Sequence, residues 1–515
     1  MSNSAMQFGL RDWAQRDPER LAVRMGDGSQ STYADIETLA NRIAHFLRSA
    51  GLRKGDHVAL LLSNGPLILA TVWAAYRAGL YLTPIPSGAS AAEAAYIVRD
   101  CQAQVMILDA KYKDLATSLQ AMVERPVKWV AANGELDGFV SLEREASQLP
   151  VTPISDEQPG GLMMYSSGTT GTPKGIWRPL PTLEQVGSGA PTFARDLLSL
   201  FEIVADAHYL STSPLYHAAP LRFALAFLAA GGRVTVMDRF DAAEALRLLV
   251  DEKITHSLWV PTMFQRLLSL PDAQRRAFEA SHHRYAIHGA APCAGVVKRA
   301  MIEWWGPILH EYYSGSEGVG LCSITSEEWL RKPGSVGKAR KGDLHILDEG
   351  DRPAGKEVTG RIYFSGTAPF QYFNAPEKTA AKTSAQGYQT FGDIGYVDAD
   401  GYLFLRDRQD DMIISGGVNI YPQEIESALL EIPEILDCAV AGFPDPDFGE
   451  KAVAFIQVRA SLSDMEAQQF LEKVREFGKR RLGRMKQPKE IRLVQSLPRT
   501  PTGKLLRRQL RDQGE

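Results

Sequence analysis

Residues 165–175 read Tyr-Ser-Ser-Gly-Thr-Thr-Gly-Thr-Pro-Lys-Gly. Small hydroxyl residues, three glycines and one lysine follow each other with no apolar position to pack. Glycine-rich backbone exposes its N–H groups, and hydroxyls with an ammonium complete a cradle for phosphate oxygens. The preceding Gly161-Leu162-Met163-Met164-Tyr165 is short and apolar, as a buried strand delivering the chain into such a loop would be. A Walker A loop needs Gly directly before its Lys and Ser or Thr directly after. Lys174 stands between Pro173 and Gly175, so the loop is of another kind.

The chain around this loop has 515 residues, too many for one hydrophobic core, so several subdomains are expected. Its 44% hydrophobic and 23% charged residues are those of a soluble globular protein, and a net charge of −4 argues against a general nucleic-acid binder. Cys101, Cys293, Cys322 and Cys438 lie far apart without paired ligand spacing, which suits reduced thiols in a cytoplasmic protein. Residues 1–20 are polar and charged, unlike a signal peptide, and no apolar run reaches the roughly 18–20 residues of a membrane span.

Strand and helix patterns alternate on the N-terminal side. Residues 33–50 carry helical spacing (Ile36, Leu39, Ala40, Ile43, Phe46, Leu47) and stop at Gly51, and 58–62 then reads as a buried strand. Strand, helix, strand recurs over 105–130 and again over 234–260. Continuous apolar strands between helices predict parallel sheets covered on both faces. From about 335 to 405, Gly- and Pro-punctuated strands suggest a smaller β subdomain. After 406–411 the character changes, and residues 479–515 hold 12 Lys or Arg against 3 Asp or Glu. Aromatic residues are almost absent there, so a solvated face or a pocket for a polyanionic nucleotide is a better reading than nucleic acid.

The loop at 165–175 resembles the phosphate loop of the adenylate-forming superfamily, which includes acyl- and aryl-CoA synthetases, peptide-synthetase adenylation domains and luciferases. Further blocks follow in the family's order. His288-Gly-Ala-Ala-Pro292 resembles its turn against adenine, implying contacts from Gly289, Ala290, Ala291 and Pro292. Glu311-Tyr-Tyr-Ser-Gly-Ser-Glu-Gly318 resembles the segment in which an aromatic flanks adenine, a hydroxyl contacts the α-phosphate and a glutamate holds Mg²⁺. By position these are Tyr313, with Tyr312 beside it, then Ser316 and Glu317. In 387–408 the resemblance implies that Asp393 bonds the ribose hydroxyls and that Arg408 bonds ribose or phosphate. Phe391 stands where many members have Thr, with Thr390 one place earlier. Asp410 falls at the family's hinge, Ser415, Gly416 and Gly417 at its pantetheine tunnel, and Lys504, in Pro498-Arg-Thr-Pro-Thr-Gly-Lys504, at its C-terminal catalytic lysine.

The resemblance spans about 8 to 510 and implies an α/β fold: two parallel-type α/β subdomains and a small β subdomain over 1–407, and a mobile α+β domain over 408–515 hinged at about 408–411. It implies an acid–thiol ligase. A carboxylate attacks the α-phosphorus of ATP, pyrophosphate leaves, and the acyl-AMP passes its acyl group to coenzyme A. Ser166, Ser167, Gly168, Thr169, Thr170, Gly171 and Lys174 would hold the phosphates, with Thr170 and Glu317 on Mg²⁺. Pro214-Leu-Tyr-His-Ala-Ala-Pro220 resembles the segment gating the carboxylate end, so His217 is the candidate there, with a packed core histidine as the alternative. Phe223, Trp259, Ser314 and Gly315 are the other candidates for the acyl pocket. Acetyl-CoA synthetases carry a bulky Trp where Ser314 stands, so a medium- or long-chain fatty, arylalkanoic or other bulky apolar acid is expected. A ligase loading an acyl carrier protein and a luciferase-like oxidase are the alternatives. No nucleic-acid partner is expected, and a homodimer is left open.

Overall fold

Strands that are apolar on both faces must be covered on both, and that requirement organises the first half of the chain. The structure, a computed structural model, describes residues 9–166, 172–186, 192–460, 462–500, 503 and 505–512, the side chains of 192 and 193 excepted. It divides into two compact units: Met1–Leu258 with Phe278–Tyr285 and Pro369–Thr379, and Trp259–Ala277 with Ala286–Ala368 and Ala380–Glu515.

In the first unit six parallel strands run in the order Val140–Ser141, Lys128–Ala132, Val105–Asp109, His57–Leu61, Tyr81–Pro84, Gly161–Leu162. Every residue of His57–Leu61 and Val105–Asp109 is buried. Helix Tyr33–Ser49 starts at a capping box, in which Thr32 accepts from the Asp35 N–H and Asp35 accepts from Thr32. A second parallel set contains Leu21–Met25, Arg233–Val236, His208–Ser211 and His256–Trp259. Under the first helices Arg77, fully buried, donates to both oxygens of Glu37 (2.8 and 2.7 Å), and Arg11 also reaches Glu37 at 3.2 Å.

The apolar run 161–165 is not one strand. Gly161–Leu162 belongs to the six-stranded sheet, whereas Met164–Ser166 pairs antiparallel with Lys174–Trp177 in a separate three-stranded sheet. The chain changes sheets at Met163, which is fully buried between them.

In the second unit Tyr285–His288 and Leu309–Tyr313 lie parallel, and Leu321–Thr325, Ser335–Lys341, Leu403–Arg408, Asp393–Val397, Gly360–Ser365 and Asp343–Leu347 follow antiparallel. The C-terminal part is a sheet of Val418–Ile420, Ile413–Ser415, Gly449–Val458 and Ile435–Asp445, with Glu490–Leu493 parallel to Gly449–Val458. Period-two alternation serves both of its faces. Cys438, Val440, Ala452 and Ala454 pack with Ile425, Phe470 and Val474 of two helices, and Ala439, Ala441, Val453 and Phe455 pack with Leu510 of the last helix. The mixed α/β architecture with a small β-rich segment and an α+β C-terminal part is the one the sequence implies.

Candidate active site

Ser166 and Lys174 stand opposite each other on one rung of the ladder, so both ends of the predicted phosphate loop are fixed at one place. Ser167, Gly168, Thr169, Thr170 and Gly171 lie outside the described residues. The Lys174 ammonium lies 5.4 Å from the centre of the Tyr372 ring, on the strand that flanks it. Tyr165 donates its hydroxyl to Asp100 at 2.5 Å, and burial, with Asp100 adding, pushes that hydroxyl upward so that it stays a donor. Gly175 faces this ring so closely that a Cβ would sit 3.0 Å from it, which explains a glycine directly after the lysine.

In the same unit His217 directly precedes helix Ala218–Ala230, at its N-cap position but with no side-chain cap bond. Its ring centre lies 4.5 Å from that of Tyr216, and its Nε2 is buried without a partner. Burial pushes this imidazole down to about 4, so it is neutral at pH 7 with a nitrogen to spare. Phe223 is 2% exposed and packs between Phe201 and Tyr209, with ring centres 5.4 and 6.0 Å away.

The second unit gathers the residues assigned to adenine and ribose. Gly289, Ala290, Ala291 and Pro292 follow strand Tyr285–His288, and His288 is in register with Glu311. Gly289 lies against Tyr312, where a Cβ would come within 2.8 Å of the ring. Ala290 adopts φ +68°, a left-handed conformation that costs an alanine roughly 1–2 kcal/mol. Tyr313 donates its hydroxyl to Asp393 at 2.6 Å, and Arg408, opposite Asp393 in the ladder, places Nε 3.5 Å from the other carboxylate oxygen. Burial, reinforced by Asp393, raises Tyr313 well above its ordinary value, which keeps it a donor.

Phe391 meets the Tyr313 ring edge to face at 5.5 Å and closes over Gly315, where a Cβ would come within 2.5 Å of the Phe391 ring and 2.8 Å of Glu317 Oε2. Ser314 donates to the Gly320 carbonyl at 2.8 Å, and Ser316 is half-buried beside it. Trp259 is fully buried against Phe264 and Trp305. Glu317 is a single carboxylate. No group of three or more His, Cys, Asp or Glu side chains among the described residues is built to hold a metal ion by itself. That donor set fits a hard cation carried by ATP, which takes one or two carboxylates and draws its other ligands from phosphate and water.

Asp410 lies in the short 3-10 turn Gln409–Asp411. Gly416 and Gly417 form the two-residue turn between Ile413–Ser415 and Val418–Ile420, with φ +56° and +76°; a turn with two positive φ angles favours glycine at both places. Lys504 lies outside the described residues, but Gly503 packs against Thr262 and Val260, and Arg499 donates to its carbonyl at 2.8 Å.

A family model described as AMP-binding enzyme matches residues 10–372, and a second, AMP-binding enzyme C-terminal domain, matches 424–504. The chain belongs to the AMP-binding enzyme family. A long-chain-fatty-acid–CoA ligase, FadD13, of Mycobacterium tuberculosis is 31% identical over 490 residues, covering 94% of this chain and 93% of that one. A feruloyl-CoA synthase of Amycolatopsis sp is 32% identical over 513 residues, covering 98% of each. The crystal structure of ATP-bound MatB from Rhodopseudomonas palustris matches with a TM-score of 0.82 at 27% identity, covering 99% of each chain. This AMP-binding enzyme is therefore of the acyl- or aryl-CoA ligase branch, an AMP-forming acyl-CoA synthetase. No helix among its described residues is long and apolar enough to cross a membrane.

Three features went unread in the sequence. Lys298, fully buried, and Glu311, nearly so, form an ion pair at 2.6 Å, signalled only by a lysine on the buried face of helix Gly295–Trp305. Asp407 and Arg507, a hundred residues apart in sequence, are brought close enough for the Arg507 charge to act on the Asp407 carboxyl. Seven basic side chains of 479–515 (Lys479, Arg481, Lys486, Lys489, Arg492, Arg499, Arg507) are paired with carboxylates, so the tail presents far less net charge than its composition suggests.

Proposed function

We propose that this AMP-binding enzyme activates a bulky apolar carboxylic acid as its acyl-AMP and transfers the acyl group to coenzyme A. One observation carries the nucleotide half of the reading: Tyr313, Asp393, Arg408 and Glu317 come together, and Tyr312, next to Tyr313, lies against Gly289. Asp393, its carboxylate fixed by the Tyr313 hydroxyl and the Arg408 guanidinium, presents acceptor lone pairs to two ribose hydroxyls. Tyr313 and the 289–292 backbone form the walls for a flat base. Ser166 and Lys174, with the loop between them, neutralise the β- and γ-phosphates as pyrophosphate departs, and Ser316 serves the α-phosphate. Glu317 and Thr170 would hold the Mg²⁺ that accompanies ATP, and the ion would supply charge neutralisation for the triphosphate.

Little covalent participation by protein is needed; positioning and charge stabilisation carry such a displacement. Lys504 meets the charge that grows between carboxylate and α-phosphate. The small domain from 408 onward then turns about Asp410, withdraws that lysine and presents the Ser415–Gly417 turn to the thiol. His217, neutral and with an unused nitrogen, orients the carboxylate end of the acid. Ser314, small and bonded back to Gly320, leaves room for a large acyl group. Relatives named for long-chain fatty acids and for ferulate support a bulky acid over acetate.

A panel of acids from acetate to long-chain and aryl acids tests the substrate reading: kcat/KM rises with apolar bulk, and acetate turned over best refutes it. Lys504→Ala tests the two-step scheme. It abolishes acyl-AMP formation from acid and ATP while thioester formation from synthetic acyl-AMP persists; equal loss of both contradicts the assignment.

A further inference from the structure

Asp407 is an acid for which the adenylation chemistry has no use. It lies on the strand Leu403–Arg408, three residues before Asp410, and is 6% exposed. Its Oδ2 accepts the backbone N–H of Gln423 at 3.0 Å, in the first turn of helix Pro422–Leu429. Its Oδ1 accepts the N–H of Arg408 at 2.8 Å. The Gln423 bond thus joins a residue before the hinge to an element after it.

Arg507, from the last helix, reaches the same place. It donates to Glu426 at 2.6 Å, to the Val440 carbonyl at 3.0 Å and to Asp411 at 3.3 Å. Glu426 in turn accepts the Val440 N–H at 2.7 Å. The charged groups around Asp407 are therefore Arg507 from the last helix, Glu426 from helix Pro422–Leu429 and Asp411 from the hinge turn, with Arg408 next to it in sequence.

We propose that Asp407 is a positioning residue that latches the hinge: its carboxyl group holds the first turn of helix Pro422–Leu429 beside the Arg507 fork, and rotation about Asp410 breaks that contact. This rests on the hinge reading given above. Burial, with Glu426 adding, pushes the carboxyl up to about 6 against the pull of Arg507 and the two N–H groups. The ionised acid is therefore less at ease here than in water. Proton binding favours the orientation in which Gly503 packs on Thr262 and Val260, and proton release favours rotation. The ratio of latched to rotated molecules falls as pH rises from the ordinary carboxyl value near 4 to about 6, by at most about tenfold per pH unit, and is level above that window.

Two spin labels test this without any substrate. Exposed Val358 and Met465 (52% and 69%) take cysteine labels in a Cys293→Ser background, the other three cysteines being buried. Pulsed EPR between pH 5 and 7 then reads the two distance populations. The wild type loses up to about tenfold in the latched-to-rotated ratio from pH 5 to about 6 and is level above that, as the linkage requires. Asp407→Asn, which stays neutral and keeps one of the two acceptor oxygens for the Gln423 N–H, holds the low-pH ratio throughout, and Asp407→Glu restores a titration. An unchanged titration in Asp407→Asn, or none in the wild type, overturns the latch. In the half-reactions, Asp407→Asn keeps acid-dependent ATP–pyrophosphate exchange and slows thioester formation from synthetic acyl-AMP about tenfold, the same factor. A folding defect lowers both rates together, so equal loss also counts against the latch. Absence of exchange in the wild type with every acid tried refutes the ligase reading instead, and the EPR result still decides the latch.

Discussion

Lys298→Met leaves the Glu311 carboxylate buried directly before Tyr312 and Tyr313. Lys298 is fully buried, Glu311 is 7% exposed, and their charged atoms are 2.6 Å apart. At that separation the attraction is roughly 6 kcal/mol for an effective dielectric of about 20. Desolvating the two ions costs several kcal/mol each, so the pair as a whole contributes little net stability. Removing one partner is different, because the remaining charge keeps its desolvation cost and loses the attraction that offset it. Lys298→Met is therefore expected to destabilise by about 3–5 kcal/mol. Lys298→Met with Glu311→Leu, which removes both charges, is expected to stay within about 1 kcal/mol of the wild type or exceed it. Urea unfolding of the four proteins of this cycle gives the coupling energy, and KM for ATP read alongside is expected to rise in the single variant and recover in the double one. A single variant within about 1 kcal/mol of the wild type, or a double variant as damaged as the single, refutes the reasoning.

Three further outcomes follow from the same geometry. Ala290→Gly relieves roughly 1–2 kcal/mol of left-handed strain and gives back about 0.5–1 in chain entropy, so a thermal melt is expected to rise slightly while KM for ATP increases severalfold; a lower melting temperature contradicts it. Asp393→Asn removes the charged acceptor facing Tyr313 and Arg408, and a lost hydrogen bond to a charged group, about 1.5–3 kcal/mol, predicts a fall of roughly 10- to 150-fold in kcat/KM for ATP; an unchanged value contradicts the ribose assignment. Glu317→Gln is expected to shift the Mg²⁺ dependence of adenylation to at least about tenfold higher concentration, the factor that follows from about 1.4 kcal/mol of lost carboxylate interaction, and superimposable Mg²⁺ titrations contradict its role.

Local patterns were legible where they were self-sufficient. The helix Tyr33–Ser49 carries its own cap and stop, and the run around His57–Leu61 is apolar on both faces whatever its neighbours are. The run 161–165 misled because its two halves differ only in partner: Leu162 pairs with Leu82, and Met164 pairs with Ile176. Nothing in five apolar residues states which sheet each half joins. The same limit applies to charge. The basic tail reads as an anion site until Glu431, Glu424, Asp445 and Asp437 arrive from elsewhere in the chain to pair with it. In the nucleotide site, Tyr313, Asp393 and Arg408 were nameable one by one, but only the fold shows that the hydroxyl and the guanidinium hold one carboxylate. His217 was a choice between a core residue and a gate, and the buried, unpartnered Nε2 is what sequence could not supply.

The central claim is that acid activation and thiol transfer run in sequence on this chain. Its most direct test is acid-dependent ATP–pyrophosphate exchange over a panel of fatty, arylalkanoic and aryl acids, with AMP release measured with and without coenzyme A. The account predicts exchange that requires acid but no thiol, and multiple-turnover AMP release only when acid and coenzyme A are both present, with one acyl-CoA per AMP. Steady AMP release without any thiol, or no exchange with any acid of the panel, would contradict it.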